Sequence, residues 1–458
     1  MTNTSPLQIT TILQAQQTFF ATHQTKSLDF RLQQLKKLSQ TIHTYEQQIA
    51  DALWQDLHKS YEEVYLTEIS IVKREIDHHI NNLKKWSSPR KVPTPLYLQP
   101  SSSRIINEPL GVALIMAPWN YPFQLLFAPL IGAISAGCCA ILKPSELTSH
   151  ISGVMETIIQ STFNENYIAV VQGDHTVGEQ LLQHRFDVIF FTGSTRVGKL
   201  VMQAAANYLT PVILELGGKS PCIVDASADI DIAANRIAWG KAINAGQTCI
   251  APDYLLVHES VKEQLINKIG SAITSMYGAD LQASRYYPRI VNEQAFDRLT
   301  KLMQEGKTKL GGATNKEARF IAPTIVEGVQ TTDPIMQEEI FGPLLPVITF
   351  TQLNEALAFI NSQEKPLALY YFGKEDGATK TLAETTSGGA CINDTLVHIG
   401  NHYMPFGGVG GSGLGKYHGK DSYLAFSNQR AVVNTPTWIE LPFKYAPFKH
   451  FNWIKKLL

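Results

Sequence analysis

Between Gly111 and Leu216, short apolar runs alternate with segments of helical periodicity, and this alternation most narrows what the chain can fold into. The runs are GVALIMA (111–117), CCAIL (138–142), IAVVQ (168–172), DVIFF (187–191) and VILEL (212–216); helix-like segments cover 124–136, 147–161, 175–183 and 199–209. Strands this uniformly apolar are expected to be covered on both faces. Strands of that kind joined by helices predict an open parallel α/β sheet. Ligands on such sheets sit beyond the carboxyl ends of the strands. The polar residues that close each run are therefore the first candidates for function.

The flanks add further elements. Leu28, Leu32, Leu35, Leu38 and Ile42 form a helical stripe within 28–56, with Ser27 as its N-cap, and 61–86 reads as a second long helix. The prolines of 87–109 break helices and leave loop or edge strand. A second alternating region follows. Ile230, Ala233, Ala234, Ile237 and Ala238 keep helical spacing up to Gly246, and strands are expected at DYLLVHE and at 321–327, 345–350, 367–372 and 390–393. A chain of 458 residues, 44% hydrophobic and 17% charged, can bury a sizeable core in about two or three domains. A net charge of -1 provides no general attraction for nucleic acid. No run of 18 apolar residues occurs and the N-terminus lacks a signal peptide's basic and apolar regions, so a cytoplasmic protein is expected.

Four of the strand ends are polar or glycine-rich: APWNYP (117–122), LKPSE (142–146), FFTGSTRVGK (190–199) and LELGGKSP (214–221). Taken singly, Asn120 reads equally as a turn residue, Lys143 as a solvated loop lysine, and Gly193 and Gly198 as turn glycines. Glu215 is different. A carboxylate inside a strand that should be buried is costly unless it has a task. GSTRVG, at a strand-to-helix turn, can present backbone N–H groups and a helix N-terminus to a phosphate. The cysteines are Cys138, Cys139, Cys222, Cys249 and Cys391, an odd number without a CxxC pair, which speaks against a disulfide framework or zinc knuckle. Four lie in or beside apolar runs. Cys249, in INAGQTCIAPDY, has small and polar neighbours at a helix–strand junction where a ligand can approach. Two features mimic other sites. His398 and His402 have helical metal spacing, but Gly400 lies between them and no acidic partner follows, so no metal is expected. GGVGGSG matches dinucleotide spacing, but Pro405 precedes it and no apolar strand leads in.

Together, APWNYPF, LKPSE, FTGSTRVGK, LELGGKSP, GQTCIAPDY, EEIFGP and PFGGVGGSGLGKYHG occur in the order found in the aldehyde dehydrogenase superfamily. The chain resembles its class 3 and fatty aldehyde dehydrogenase branch over about residues 10–435. The resemblance implies a Rossmann-type NAD(P)-binding domain (1–86 and 108–214), an α/β catalytic domain (215–425), a small β oligomerisation arm (87–107 and 426–436) and a C-terminal tail (437–458). It implies oxidation of apolar aldehydes to carboxylic acids by a homodimer. Cys249 would be the nucleophile, Asn120 and the Cys249 N–H the oxyanion donors, and Glu215 the base that activates water. Lys143 and Glu146 would hold the adenosine ribose; Gly193, Ser194 and Gly198 would face the pyrophosphate. Glu339 and Phe341 would hold the nicotinamide ribose and ring, and Trp119 would shape the space between cofactor and substrate. NAD is the expected cofactor, since Glu146 would repel a 2′-phosphate, with NADP also tolerated in this branch.

Two alternatives use the same parts. A CoA-acylating dehydrogenase would pass the acyl group to CoA, where a water-activating Glu215 would be a liability. A cysteine hydrolase or acyltransferase would need a histidine base, which none of the motifs supplies. The loop NDTLVHIGNH (393–402) and the aromatic, basic tail are expected to border the substrate mouth, and the tail is a candidate for peripheral contact with a membrane surface.

Overall fold

The computed structural model describes residues 3–440, 444–448 and 451–455. The apolar runs form the predicted sheet. Among the described residues its strand order is Gly413–Leu414, Val212–Leu216, Val188–Gly193, Val112–Met116, Cys139–Lys143 and Ile168–Val170. All pairs are parallel except that of Gly413–Leu414 with Val212–Leu216. The chain starts at Val112–Met116, builds outward through Cys139–Lys143 and Ile168–Val170, then returns to the opposite side of Val112–Met116. This reversal opens a crevice between the ends of Val112–Met116 and Val188–Gly193, where α/β sheets bind ligands. Helices Pro122–Ala136, Ser149–Thr162, His175–Leu182 and Thr195–Ala206 connect the strands. Burial on both faces is nearly complete: Leu114, Ile115, Ile141, Leu142 and Phe190 are all 0% exposed.

A second sheet runs in the order Lys307–Leu310, Thr324–Glu327, Leu344–Phe350, Tyr254–His258, Pro221–Val224, Ala368–Phe372 and Gly389–Ile392. It is parallel apart from its first pair. A third, antiparallel sheet joins Arg90–Val92, Ser102–Pro109 and Ser427–Asn434, the last two paired from Ser427 opposite Pro109 to Asn434 opposite Ser102. The Pro-rich stretch thus supplies two strands separated by a turn.

Two expectations are corrected. The segment 61–86 is not one regular helix: Tyr61–Val64 passes into a π-helical turn, Tyr65–Ile69, before Ser70–Ser87. The helix before Cys249 ends at Ala242 rather than running to Gly246, because Asn244 and Ala245 both take φ of 50°. GGVGGSG carries a turn, Gly410–Ser412, into Gly413–Leu414, which pairs with Val212–Leu216 at the edge of the first sheet. Ser27 caps Leu28–Thr44 as predicted, its side chain accepting from the Phe30 N–H.

Candidate active site

A cavity of about 810 Å³ opens at the crevice. Trp119 and Asn120 reach it from the loop after Val112–Met116, Gly193 and Ser194 from the end of Val188–Gly193, and Glu215 from the adjacent strand. Cys249 enters from the second sheet's side, and Glu339 and Phe341 from the loop before Leu344–Phe350. Residues more than 200 positions apart in sequence thus meet in one space.

The left-handed turn at Asn244–Ala245 presents Cys249. The Asn244 N–H donates to the Glu63 carboxylate (3.0 Å), and the Asn244 amide donates to the carbonyls of Asn120 (2.9 Å) and Gln247 (3.0 Å). Gly246 follows with φ of 72°; a Cβ there would come within 2.3 Å of the Gly342 carbonyl, so only glycine lets the two loops meet. Cys249 is partly exposed into the cavity, while Cys138, Cys139, Cys222 and Cys391 are buried, as expected of core thiols. Burial first, then the Glu339 and Glu215 carboxylates, push the Cys249 thiol well above its ordinary range. Cys391 Sγ lies 3.2 Å from His398 Nδ1, but burial pushes that thiol up to about 11 and that imidazole down to about 4. Cys391, unlike Cys249, is buried and is not among the residues lining the cavity, so a ligand there does not reach it.

Asn120 is 2% exposed, and its Nδ2 donates to the Gln247 carbonyl (3.0 Å), which leaves a second N–H of the amide for a ligand. Glu215 is 3% exposed and neither of its oxygens has a hydrogen-bond partner. Removal from water raises its pKa well above the ordinary carboxyl value, and Lys416 offsets this only in part. An unpaired ionised carboxylate in such a place costs several kcal/mol, so burial wins and the group keeps its proton to higher pH than an exposed carboxyl does. The glycine-rich motif packs around it. Gly413 lies opposite Glu215 in the sheet, and a Cβ on Gly407 would come within 2.6 Å of Glu215 Oε1.

Lys219 and Asp253 pin the EEIFGP loop. Lys219 pairs with Asp253 and donates to the carbonyls of Ile335 (2.8 Å) and Glu338 (2.9 Å), and Asp253 accepts from the Ile340 N–H (3.0 Å). Phe341, at φ of 50°, meets the Trp119 ring edge-on at 5.3 Å. A Cβ on Gly217 would come within 2.0 Å of Glu339 Oε2, so glycine in LELGG leaves room for that carboxylate. Burial, with Asp253 nearby, pushes Glu339 up to about 8.

The sequence model of the aldehyde dehydrogenase family matches residues 2–432. The chain belongs to the aldehyde dehydrogenase family. It is 48% identical to the 4,4'-diaponeurosporen-aldehyde dehydrogenase of Staphylococcus aureus, over 95% of this chain and 96% of that protein. It is 46% identical to human aldehyde dehydrogenase family 3 member B1, over 90% of this chain and 89% of that one. The substrate-bound structure of Staphylococcus aureus AldH superposes with a TM-score of 0.96 at 47% identity, covering 98% of this chain and 99% of that one. The protein is accordingly an NAD(P)-dependent aldehyde oxidoreductase.

The residues fit such a cofactor. Ser194 caps the 12-residue helix Thr195–Ala206, whose N-terminus opens beside the cavity, and the buried Thr192 hydroxyl on the same wall has no partner. Lys143 and Glu146 lie outside the cavity, paired with each other at 3.2 Å beyond the end of Cys139–Lys143. Gly198 does not face the cavity. A Cβ there would meet the Leu216 side chain at 2.6 Å, so glycine lets helix and strand approach closely at this point. The 393–402 loop does border the mouth, through Leu396, Val397, Ile399 and Gly400. The described tail residues do not line it: Trp438, Tyr445, Phe448 and Phe451 are exposed away from the cavity. Of the tail residues expected there, Phe443, Lys449 and Lys456 and the Trp453 side chain lie outside the description. No helix among the described residues is long and apolar enough to cross a membrane. His398 stacks on Phe406 while His402 packs against His78, so the two histidines do not converge.

Sequence reasoning assigned no role to Lys59, Glu63, Glu68, Lys219, Asn244, Asp253 or Lys416. Each acts through a partner distant in the chain. The only available sign was a charged or amide residue at a position that periodicity makes inward-facing.

Proposed function

We propose that this site oxidises long apolar aldehydes to carboxylic acids, with NAD as the preferred acceptor. The observation that carries the reading is the meeting of Cys249, Asn120 and Glu215 in one cavity whose remaining wall is largely apolar, with Leu66, Ile71, Trp239, Ile243 and Val397 among its lining. Cys249 Sγ, once its proton has passed to solvent, attacks the aldehyde carbon as the thiolate, and the carbonyl oxygen takes the charge. The free N–H of the Asn120 amide and the Cys249 backbone N–H receive that oxyanion; one such donor is worth about 3 kcal/mol. Bound NAD(P)+ would supply the hydride acceptor; loss of hydride from the carbon held on Cys249 would leave a thioester there. Glu215, once ionised, takes a proton from water as that water attacks the thioester, and Cys249 leaves as thiolate. Glu339 and Phe341 would hold the nicotinamide end. Lys143 and Glu146 would hold the adenosine ribose, where the Glu146 carboxylate disfavours a 2′-phosphate. Among the described residues no histidine lines the cavity, which weighs against a thiol hydrolase.

A panel of straight-chain aldehydes from hexanal to hexadecanal, assayed with NAD and with NADP, tests the reading. Each methylene buried is worth about 0.8 kcal/mol, so kcat/KM is expected to climb up to about fourfold per carbon until the cavity is filled, and to be higher with NAD. A flat profile would overturn the substrate class. Acceleration by added CoA would assign the acyl group to CoA instead of water.

The three-stranded sheet also supports a homodimer, since Arg90–Val92 and Ser427–Asn434 form its outer strands, and open strand edges take partners. A canine relative, 44% identical, bears the name dimeric NADP-preferring aldehyde dehydrogenase. Sedimentation equilibrium at micromolar concentration is expected to give twice the chain mass; a monomer would remove this role from the sheet.

A further inference from the structure

The loop that carries Asn120 is held by a charge pair that the reaction itself does not use. Lys59 and Glu68 are both 0% exposed, with Lys59 Nζ 2.9 Å from Glu68 Oε1. The same Nζ donates to the Asn120 backbone carbonyl at 2.7 Å and lies 3.9 Å from the centre of the Tyr121 ring. The other Glu68 oxygen accepts from the N–H groups of Phe123 (2.9 Å) and Gln124 (3.1 Å), in the first turn of Pro122–Ala136. That turn has otherwise unsatisfied donors and a partial positive charge, which a carboxylate complements. Glu68 reaches it from the π-helical turn Tyr65–Ile69, the irregularity that interrupts the helical run; such turns often occur at functional sites.

The pair therefore grips the loop at two points, with Lys59 on the Asn120 carbonyl and Glu68 on the following helix. A third hold comes from Asn244, whose amide donates both to the Asn120 carbonyl and to the Gln247 carbonyl that the Asn120 side chain uses. Buried ion pairs seldom stabilise a fold more than apolar residues of the same shape would. Placement of a loop is a task that apolar residues could not perform, because they offer the Asn120 carbonyl no donor.

We infer that Lys59 and Glu68 are positioning residues for the first half of the reaction: by fixing the Asn120 backbone they aim its side-chain amide at the oxyanion formed on attack by Cys249. The inference rests on the reading of Asn120 as an oxyanion donor. Misplacing such a group by about 1 Å can cost on the order of 100-fold in rate.

The test is a cycle of four purified full-length proteins: wild type, Asn120→Ala, Lys59→Met/Glu68→Gln, and the combination. The paired change leaves no unpaired buried charge, and the amide oxygen of the introduced glutamine can still accept from the helix N-terminus, so the fold is kept while the bond to the Asn120 carbonyl is lost. Far-UV circular dichroism and NAD affinity within about twofold of wild type confirm this. Single-turnover NADH formation is then measured. The Lys59→Met/Glu68→Gln protein is expected to form NADH about 10- to 100-fold more slowly, yet to add less than about threefold to the loss in the Asn120→Ala background, because the loop then has no amide to aim. Equal factors in both backgrounds, no loss from the paired change, or a paired variant that does not fold would overturn the positioning role alone. Full activity of Asn120→Ala would overturn the oxyanion reading and the inference with it.

Discussion

Cys249→Ala is expected to lower aldehyde oxidation by at least about 10⁴-fold while leaving NAD binding within about twofold of wild type. Removing a covalent nucleophile from a group of residues that act together costs losses of this order. The surfaces proposed for the cofactor are separate: the Ser194 helix N-terminus and the Trp119–Phe341 pair make no use of the thiol. Cys249 is only partly buried, so loss of one sulfur atom leaves no large cavity and the melting temperature should barely move. Stopped-flow NADH absorbance and titration of tryptophan fluorescence with NAD provide the two readings. Turnover within about 100-fold of wild type would remove Cys249 from the nucleophile role.

Glu215→Gln is expected to separate the two halves of the reaction. One equivalent of NADH should appear in a burst, followed by steady turnover reduced about 10²- to 10⁴-fold, the range that a positioned general base contributes. Mass spectrometry should find the acyl group on the Cys249 peptide. The pH dependence follows from the same burial. The carboxyl is held protonated well above its ordinary 4.5, and only its ionised form can accept a proton from water. Wild-type deacylation should therefore rise with pH until Glu215 ionises, and the Gln variant should lack that rise. Stability carries the opposite sign. A carboxyl whose folded pKa is raised favours the native state less and less as pH climbs from the unfolded value toward the folded one. The Gln variant is thus expected to melt no lower than wild type at about pH 8. A burst-free reaction with unchanged pH dependence would remove Glu215 from the base role.

Much of the architecture was legible in one dimension because its causes are local. Doubly covered strands must be apolar throughout, and the five runs from Gly111 to Leu216 all became strands of one sheet in which the expected helices connect successive strands. Glu215 stood out for the same reason, since a carboxylate in such a strand breaks a strong rule. Cys249 stood out against four cysteines in apolar surroundings. The same local reasoning failed where distant groups override propensity. Periodicity carried the 61–86 helix straight through Tyr65–Ile69, where the π turn lets Glu68 reach Phe123 and Gln124. It carried the next helix to Gly246, where Glu63, Asn120 and Gln247 instead hold Asn244 in a left-handed turn.

The sequence by itself determined the kind of sheet, the end of it where the cavity opens, and Cys249, Asn120 and Glu215 as side chains that meet there. Hydrophobic periodicity and the cost of a misplaced charge are written residue by residue. The tertiary structure alone decided what surrounds those side chains: Glu215 left without a partner beneath Gly407 and Gly413, the EEIFGP loop pinned by Lys219 and Asp253, and Asn120 gripped by Lys59. Those environments arise from contacts between segments separated by about 30 to 200 residues. A carboxylate's proton affinity or an amide's aim depends on distance and on exclusion of water, and neither exists until the chain has closed.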